Sequence, residues 1–185
     1  MISSRKDLDR YIKKDNNKLF SNNRKQNEKY IKRIKDPRYL IILYLRYLRK
    51  EEYYINCTQK NLVYKLLFLV YARKRNRIGE KIGFNMEPNC FEEGLTIFHT
   101  GSIVVNCDAK IGKNCCLHGN NCIGNNGITN KCPKIGNNVD IGFGAVLIGD
   151  IEIADDIKIG ANAVVNKSFL EKGITIAGVP ACRVK

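Results

Sequence analysis

The stretch PKIGNNVDIGFGAVLIGDIEI, residues 133–153, decides how this chain folds. Counted in sixes, an aliphatic residue returns at Ile135, Ile141, Leu147 and Ile153. A small residue follows it at Gly136, Gly142 and Ala154. Neither the helical period nor the alternation of a half-buried strand produces a step of six. Followed outward, the phase holds at Val105, Ile111, Leu117 and Ile123 on one side and at Ile159 and Val165 on the other. The one miss is Thr129. Each six-residue unit predicts one short strand and one turn, with the aliphatic side chain inward and the small residue sparing the turn a clash. Three strands close one triangular coil of about 18 residues, and coils bury their aliphatics only by stacking. The two ends of such a stack need covering, here by the residues before it and by the C-terminal tail. The segment TNKCPK, 129–134, is expected to protrude as a loop, because polar residues and Pro133 stand where strand is due.

The chain upstream has another character. Residues 1–81 read as a basic helical region and 82–185 as the repeat region. NEKYIKRIKD is charged and ends before Pro37. In DPRYLIILYLRYLRKEEYY, Asp36 is placed to cap a helix with Pro37 at its first position, and Leu40, Leu43, Tyr44, Tyr47 and Leu48 form an apolar stripe. NLVYKLLFLVYARKRNRIG repeats the design, with Asn61 as cap and Gly79 as stop. Its stripe suits a core, and its ARKRNR end suits an anionic surface.

The formal net charge is +14, and it is unevenly placed. Residues 1–81 carry 23 Lys/Arg against 8 Asp/Glu, whereas residues 82–185 carry 9 against 10. This asymmetry fits either a solvated helical surface or peripheral contact with a membrane through the basic helices. Nucleic acid is not expected, since no binding motif or stacking platform accompanies the charge. No stretch reaches the roughly 18 apolar residues of a membrane span, and the N-terminus has no signal-peptide core. Eight cysteines without an export signal indicate a reducing compartment, so the expected location is cytoplasmic, extending to the inner face of the membrane. None forms a CxxC pair, and no metal is expected.

There are two histidines. His99 lies in GLTIFHTGSIVVN at the threshold of the repeat, and His118 lies in CLHGNN. The spacing of 19 residues, close to one coil, predicts that they are near each other. His118 is expected either to line an acceptor pocket or to serve a turn.

GLTIFHTGSIVVN, KIGKNC, PKIGNNVDIGFGAVLIGDIEI, IKIGANAVV and the terminal AGVPACRVK together resemble the hexapeptide-repeat acyltransferases, in their serine acetyltransferase-like and polysaccharide O-acetyltransferase branch. The resemblance covers residues 82–185 and is loose before them. It implies an α+β chain, an N-terminal α-helical region followed by a left-handed parallel β-helix. It also implies a homotrimer with active sites between neighbouring β-helices, and acetyl-CoA as donor. His99 would be the general base, which suits an imidazole at neutral pH. The carboxylate that orients the histidine in serine acetyltransferases falls on Asn85, with Glu87 two residues on as the substitute candidate. The family's acceptor-binding acid is Phe98 here, and its Arg-His pair is Lys131-Cys132. Those departures argue against L-serine and for a larger acceptor, a sugar hydroxyl of a surface polysaccharide or its lipid-linked precursor. His118, Phe98 and Lys131 are the acceptor-binding candidates. Gly142, Phe143, Gly144, Ala161 and Asn162 are expected to admit the pantetheine arm, and Lys158, Lys167 and Arg183 to meet the phosphates of CoA. The alternatives are serine O-acetyltransferase and a non-catalytic scaffold with a basic membrane- or partner-binding arm. A zinc enzyme of the carbonic anhydrase kind would need a third histidine.

Overall fold

The computed structural model describes residues 1–19, 24–57, 59 and 61–184, and the side chains of residues 24–26 lie outside that description. Four α-helices precede the repeats: α1 Arg5–Lys14, α2 Arg24–Arg33, α3 Arg38–Asn56 and α4 Leu62–Ile82. Helix α1 starts in a reciprocal capping box, in which the Ser4 hydroxyl accepts from the Asp7 N–H and the Asp7 carboxylate accepts from the Ser4 N–H. Asp36 caps α3 as its side chain predicts, accepting from the Arg38 N–H at 2.8 Å, though the regular helix opens one residue later than expected. Asn61 caps α4 by accepting from the Tyr64 N–H. Gly79 does not stop α4. The helix runs to Ile82 and ends at Gly83, whose φ of +79° is the left-handed closure. Gly79 has a packing role instead, since a Cβ there would lie 3.1 Å from the Tyr44 ring and would strike the Phe84 carbonyl.

Fourteen short strands follow: β1 Phe84–Met86, β2 Thr96–Ile97, β3 Ile103–Val105, β4 Lys110–Ile111, β5 Cys116–Leu117, β6 Cys122–Gly124, β7 Lys134–Ile135, β8 Asp140–Ile141, β9 Val146–Ile148, β10 Glu152–Ile153, β11 Lys158–Ile159, β12 Val164–Val165, β13 Thr175–Ala177 and β14 Cys182–Arg183. They stack into the three parallel faces of a left-handed β-helix. Sheet 1 is β1-β3-β6-β9-β12, sheet 2 is β4-β7-β10, and sheet 3 is β2-β5-β8-β11-β13-β14. Ten aliphatic residues in phase, from Val105 to Val165, all point inward and are buried. A fully buried aliphatic side chain contributes about 1.5–3 kcal/mol, so this column dominates the stability of the stack. Only β14 runs antiparallel, folding back on β13 at the C-terminal end.

The register locates the interruption of the repeat. Ile111 pairs with Ile135 and Ile123 with Leu147, one six-residue unit more than the pairing of Ile135 with Ile153 or Leu147 with Val165. The exposed excursion spans 126–131, earlier than the expected 129–134. Cys132 and Pro133 have rejoined the prism: both are buried, and the Pro133 carbonyl accepts from the Lys110 N–H.

The glycines after the aliphatic residues do not carry the turn. The left-handed residues sit two positions later, at Asn114, Asn138, Asp156 and Asn162, with φ between 55° and 62°. Asparagine and aspartate tolerate this region. Three of them bond up one edge, Asn114 to Asn138 and Asn138 to Asp156, each at 2.9 Å. The glycines are required by the next coil: a Cβ on Gly112 or Gly142 would lie 2.7 Å from backbone atoms of the coil stacked on it.

Helix α3 closes the open end of the prism. Its inward face is wider than the predicted stripe, with Ile41, Ile42, Tyr44, Leu45 and Leu48 buried and Leu43 and Tyr47 only half-buried. Arg49 is also fully buried. It bonds Asp15 at 2.7 Å and Glu52 at 2.9 Å, donates to the carbonyls of Phe91 and Glu92, and stacks over Tyr11. Asp15 in turn accepts from the N–H groups of Gly94 and Leu95, and Asn16 accepts from the Ile97 N–H. The residue after α1 therefore fastens β2. Helix α4 packs outside α3, and Leu62, Val63, Leu66, Leu69 and Val70 of its stripe are exposed in the single chain. Among the described residues no helix is long and apolar enough to cross a membrane.

A second buried pair sets a pH dependence. Glu51 lies 2.6 Å from Arg75, which also bonds the Met86 carbonyl. Burial outweighs the pull of Arg75 and raises the Glu51 carboxyl from 4.5 to about 7. The folded group then holds a proton that the unfolded one has released, so stability falls as pH climbs between 4.5 and 7. Glu51→Gln is expected to flatten that fall in a series of melting temperatures across this window. An unaltered slope would contradict the assignment.

Candidate active site

The turn that carries the chain from sheet 3 to sheet 1 gathers most of the predicted groups. β2, β5 and β8 pair in register, Ile97 with Leu117 and Leu117 with Ile141. The residues that follow are stacked one above another: Phe98 beside His118, and His99 beside Gly119 and Phe143. The Phe98 N–H bonds the Leu117 carbonyl and the His118 N–H bonds the Ile141 carbonyl, which continues the ladder into the turn. The two histidines are thus neighbours as the spacing suggests, but His118 lies against Phe98, one place out of line with His99.

Each side chain has a defined setting. His99 is exposed and borders a cleft of about 460 Å³ shared with Lys18, Leu19, Asp36, Arg38, Phe98 and Thr100. Phe98 is half-buried and stacks on the His118 ring, centroids 4.7 Å apart and planes tilted by 28°. The His118 Nε2 lies 2.8 Å from Asp140 Oδ1. Phe143 is 43% exposed. Gly119 is what lets these groups meet. A Cβ on it would crowd the Phe143 ring at 3.1 Å and the His99 Cβ at 3.4 Å, and its φ is +119°. Asn121 is buried and fixes the turn, accepting from the Gly119 N–H and donating to the Gly142 carbonyl. On the far wall Asp36 takes four hydrogen bonds from Arg38, which hold its carboxyl below the ordinary range.

The groove predicted for the donor lies on the same edge. Gly142-Phe143-Gly144 and Gly160-Ala161-Asn162 occupy successive coils, joined by the Asn162 N–H to the Phe143 carbonyl at 2.8 Å. Among the described residues, the backbone N–H groups of Phe143 and Ala161 meet no hydrogen-bond acceptor. Two outward donors one coil apart, beside an exposed alanine, fit a pantetheine arm with its two amide carbonyls. Phe143 is the bulky residue within the two glycine-containing turns Gly142-Phe143-Gly144 and Gly160-Ala161-Asn162.

Other expected residues are placed elsewhere. Asn85 is exposed on sheet 1, paired with Val104, and within one chain neither it nor Glu87 bonds His99. The alignment that suggested them follows sequence distance, whereas the two segments belong to different faces of the prism. Lys131 stands on the excursion and pairs with Asp150 at 2.6 Å, away from Phe98 and His118. Lys167 lies in the turn from sheet 1 to sheet 2, over Phe169, and not on the donor groove. Arg183 is on sheet 3 but is tied to Glu171 at 2.6 Å. Of the three cations, Lys158 alone is on sheet 3 without an ion-pair partner among the described residues. Asp140 was missed by sequence reasoning. It sits one place before the aliphatic Ile141, opposite Cys116 in the ladder, and reaches His118 diagonally, which no spacing along the chain announces. A larger groove of about 650 Å³ runs along sheet 2 past Met1, Lys110, Lys134 and Glu152, and none of the expected site residues lines it.

No protein-family model matches this chain. The chain is 33% identical over 123 residues to the serine acetyltransferase of Helicobacter pylori, a match covering 64% of this chain and 71% of that one. It is 32% identical over 83 residues to the colanic acid biosynthesis acetyltransferase of Escherichia coli, covering 44% and 51%. Among solved structures it resembles a serine acetyltransferase in complex with CoA, with a TM-score of 0.64 at 26% identity, over 78% of this chain and 57% of that one. The chain thus spans little more than half of that solved enzyme.

Proposed function

Because this chain belongs to the serine acetyltransferase-like hexapeptide-repeat acyltransferases, whose acetyl donor is acetyl-CoA, we propose that it acetylates a hydroxyl of a sugar, with His99 as the general base. The observation that carries the sugar reading is the aromatic wall beside His99. Phe98 packs on His118 where the family's serine enzymes keep an acid, and Cys132, at the place of a polar acceptor ligand, is buried in the core. An aromatic wall suits the apolar face of a pyranose, and Phe98 supplies no carboxylate to pair with the ammonium group of serine. Membership in an enzyme family removes the scaffold alternative.

The chemistry follows from the groups present. The acceptor hydroxyl gives its proton to the His99 imidazole as its oxygen attacks the thioester carbon. The tetrahedral intermediate collapses by breaking the C–S bond, and the thiolate of CoA takes the proton back from the imidazolium. The N–H groups of Phe143 and Ala161 hold the pantetheine arm in line, and Lys158 is the cation placed for a phosphate. The cleft at His99 is open on its outer side, and we assign that side to the neighbouring β-helix of a homotrimer.

A second reading, serine O-acetylation, is favoured by the similarity to the Helicobacter enzyme. Release of free CoA measured with methyl glycosides and with L-serine separates the two. The glycosides are expected to give a kcat/KM at least about tenfold above that of serine, because a site matched to one acceptor's polar groups rejects the other strongly. The reverse ranking would establish the serine reading and remove the sugar.

A further inference from the structure

Among the described residues no carboxylate bonds His99, yet the imidazole stacked on Phe98, a residue of the cleft wall, does have one. The His118 ring is fixed from two directions. Its Nε2 lies 2.8 Å from Asp140 Oδ1, and one of its faces is covered by Phe98. A carboxylate on Nε2 selects the tautomer that carries the proton there, leaving Nδ1 as an acceptor. Among the described residues no hydrogen bond reaches Nδ1. Both side chains are partly open to solvent, 38% for His118 and 43% for Asp140, so the pair is not a sealed core contact. It stands behind Phe98, which lines the His99 cleft, and next to Gly119, whose place for a Cβ lies 3.4 Å from the His99 Cβ.

We propose that Asp140, His118 and Phe98 form a subsite for a neutral polyhydroxylated acceptor, resting on the acetyl-transfer reading above. A hydroxyl next to the reacting one donates to His118 Nδ1, and the apolar face of the acceptor ring lies along Phe98. Asp140 is a positioning residue that acts through the imidazole, and His118 binds the acceptor while His99 takes the proton. Two imidazoles on adjacent coils then have separate tasks, with the oriented one recognising and the unencumbered one reacting.

The test uses the full chain and two readouts. The first is steady-state acetylation of a methyl glucoside. His118→Phe keeps an aromatic ring on Phe98 and removes both hydrogen bonds; it is expected to raise the acceptor KM about tenfold with kcat within a factor of three, the loss of one hydrogen bond. Asp140→Ala is expected to do the same, and Asp140→Asn, which still accepts from Nε2–H, to recover most of the loss. A purely structural role for Asp140 would not yield that rescue. The second readout is the ¹⁵N spectrum of the imidazoles with the glucoside added and no acetyl-CoA. The His118 Nδ1 signal is expected to move in the wild type and not in Asp140→Ala.

The two parts fail separately. If the Nδ1 signal moves but nothing is acetylated, the subsite stands and the acetyl-transfer reading falls. If acetylation proceeds with an unchanged KM in His118→Phe, the subsite is wrong and the reading stands. If His118→Phe loses kcat at saturating acceptor, His118 is itself the base and the division of tasks is overturned. If neither signal nor product appears, both are rejected.

Discussion

Replacing His99 with alanine is expected to lower kcat by a factor of about 10²–10⁴, the usual contribution of a positioned general base. The side chain is exposed and bonds nothing among the described residues, so removing it should leave the melting temperature nearly unchanged. The affinity for acetyl-CoA, measured by calorimetry, should also persist on the proposal that the donor lies along the coils around Phe143 and Ala161. Lost turnover with intact fold and intact donor binding is the signature of a group that acts only as the proton moves. A variant that keeps its full rate would remove His99 from the mechanism. A variant that loses acetyl-CoA binding as well would make it a wall of the donor groove.

The largest effect on stability is expected at Arg49. Arg49→Met keeps the bulk of the side chain and strips the charge from a fully buried cluster, leaving Asp15 and Glu52 facing each other with no cation between them. Breaking a buried pair by removing one partner costs about 3–5 kcal/mol. That is a large share of the roughly 5–15 kcal/mol that holds a domain folded, and corresponds to a fall in melting temperature of about 6–20 °C at this chain length. Asp15 also holds the N–H groups of Gly94 and Leu95 while Asn16 holds Ile97, so the loosened end should include the strand that leads into His99. Arg49→Lys keeps the charge without the planar fork and should fall between wild type and Arg49→Met. A loss under about 1 kcal/mol for Arg49→Met would mean that the cluster relaxes or takes in water.

Much of this was legible in the residues. Ten aliphatics in one phase predicted the prism, and the structure buries every one of them. The caps at Asp36 and Asn61 announce the two long helices by side-chain chemistry alone. Where the reading slipped, a non-local contact decided. Gly79 looks like a helix stop until Tyr44 and Phe84 are seen pressing on it. The glycines after each aliphatic look like turn makers, yet the next coil demands them and the asparagines bend the chain. Arg49, Glu51 and Glu52 read as the polar side of an amphipathic helix, because nothing local shows that Asp15 and Arg75 arrive from other elements to meet them. In the candidate site, His99 and Phe98 were proposed from motif, and Asp140 was hidden because it pairs in register with Cys116 and reaches His118 only diagonally, through its side chain. Lys167 stands on a different turn from Phe143 and Ala161, over Phe169, for a related reason: a sequence position near a given coil says little about which edge of a three-sided column it occupies.

The excursion at 126–131 shows what a column with a fixed step permits. Because the chain leaves and returns a whole unit later, the strands above and below keep their faces, and the disturbance ends where it begins. The span that joins sheet 1 to sheet 2 at that edge varies freely, six residues from Val105 to Ile111, twelve from Ile123 to Ile135 and four from Val165 to Phe169. A column built this way can vary what overhangs one rim while the masonry beneath stays the same, and novelty in what it recognises need not be negotiated with its foundations.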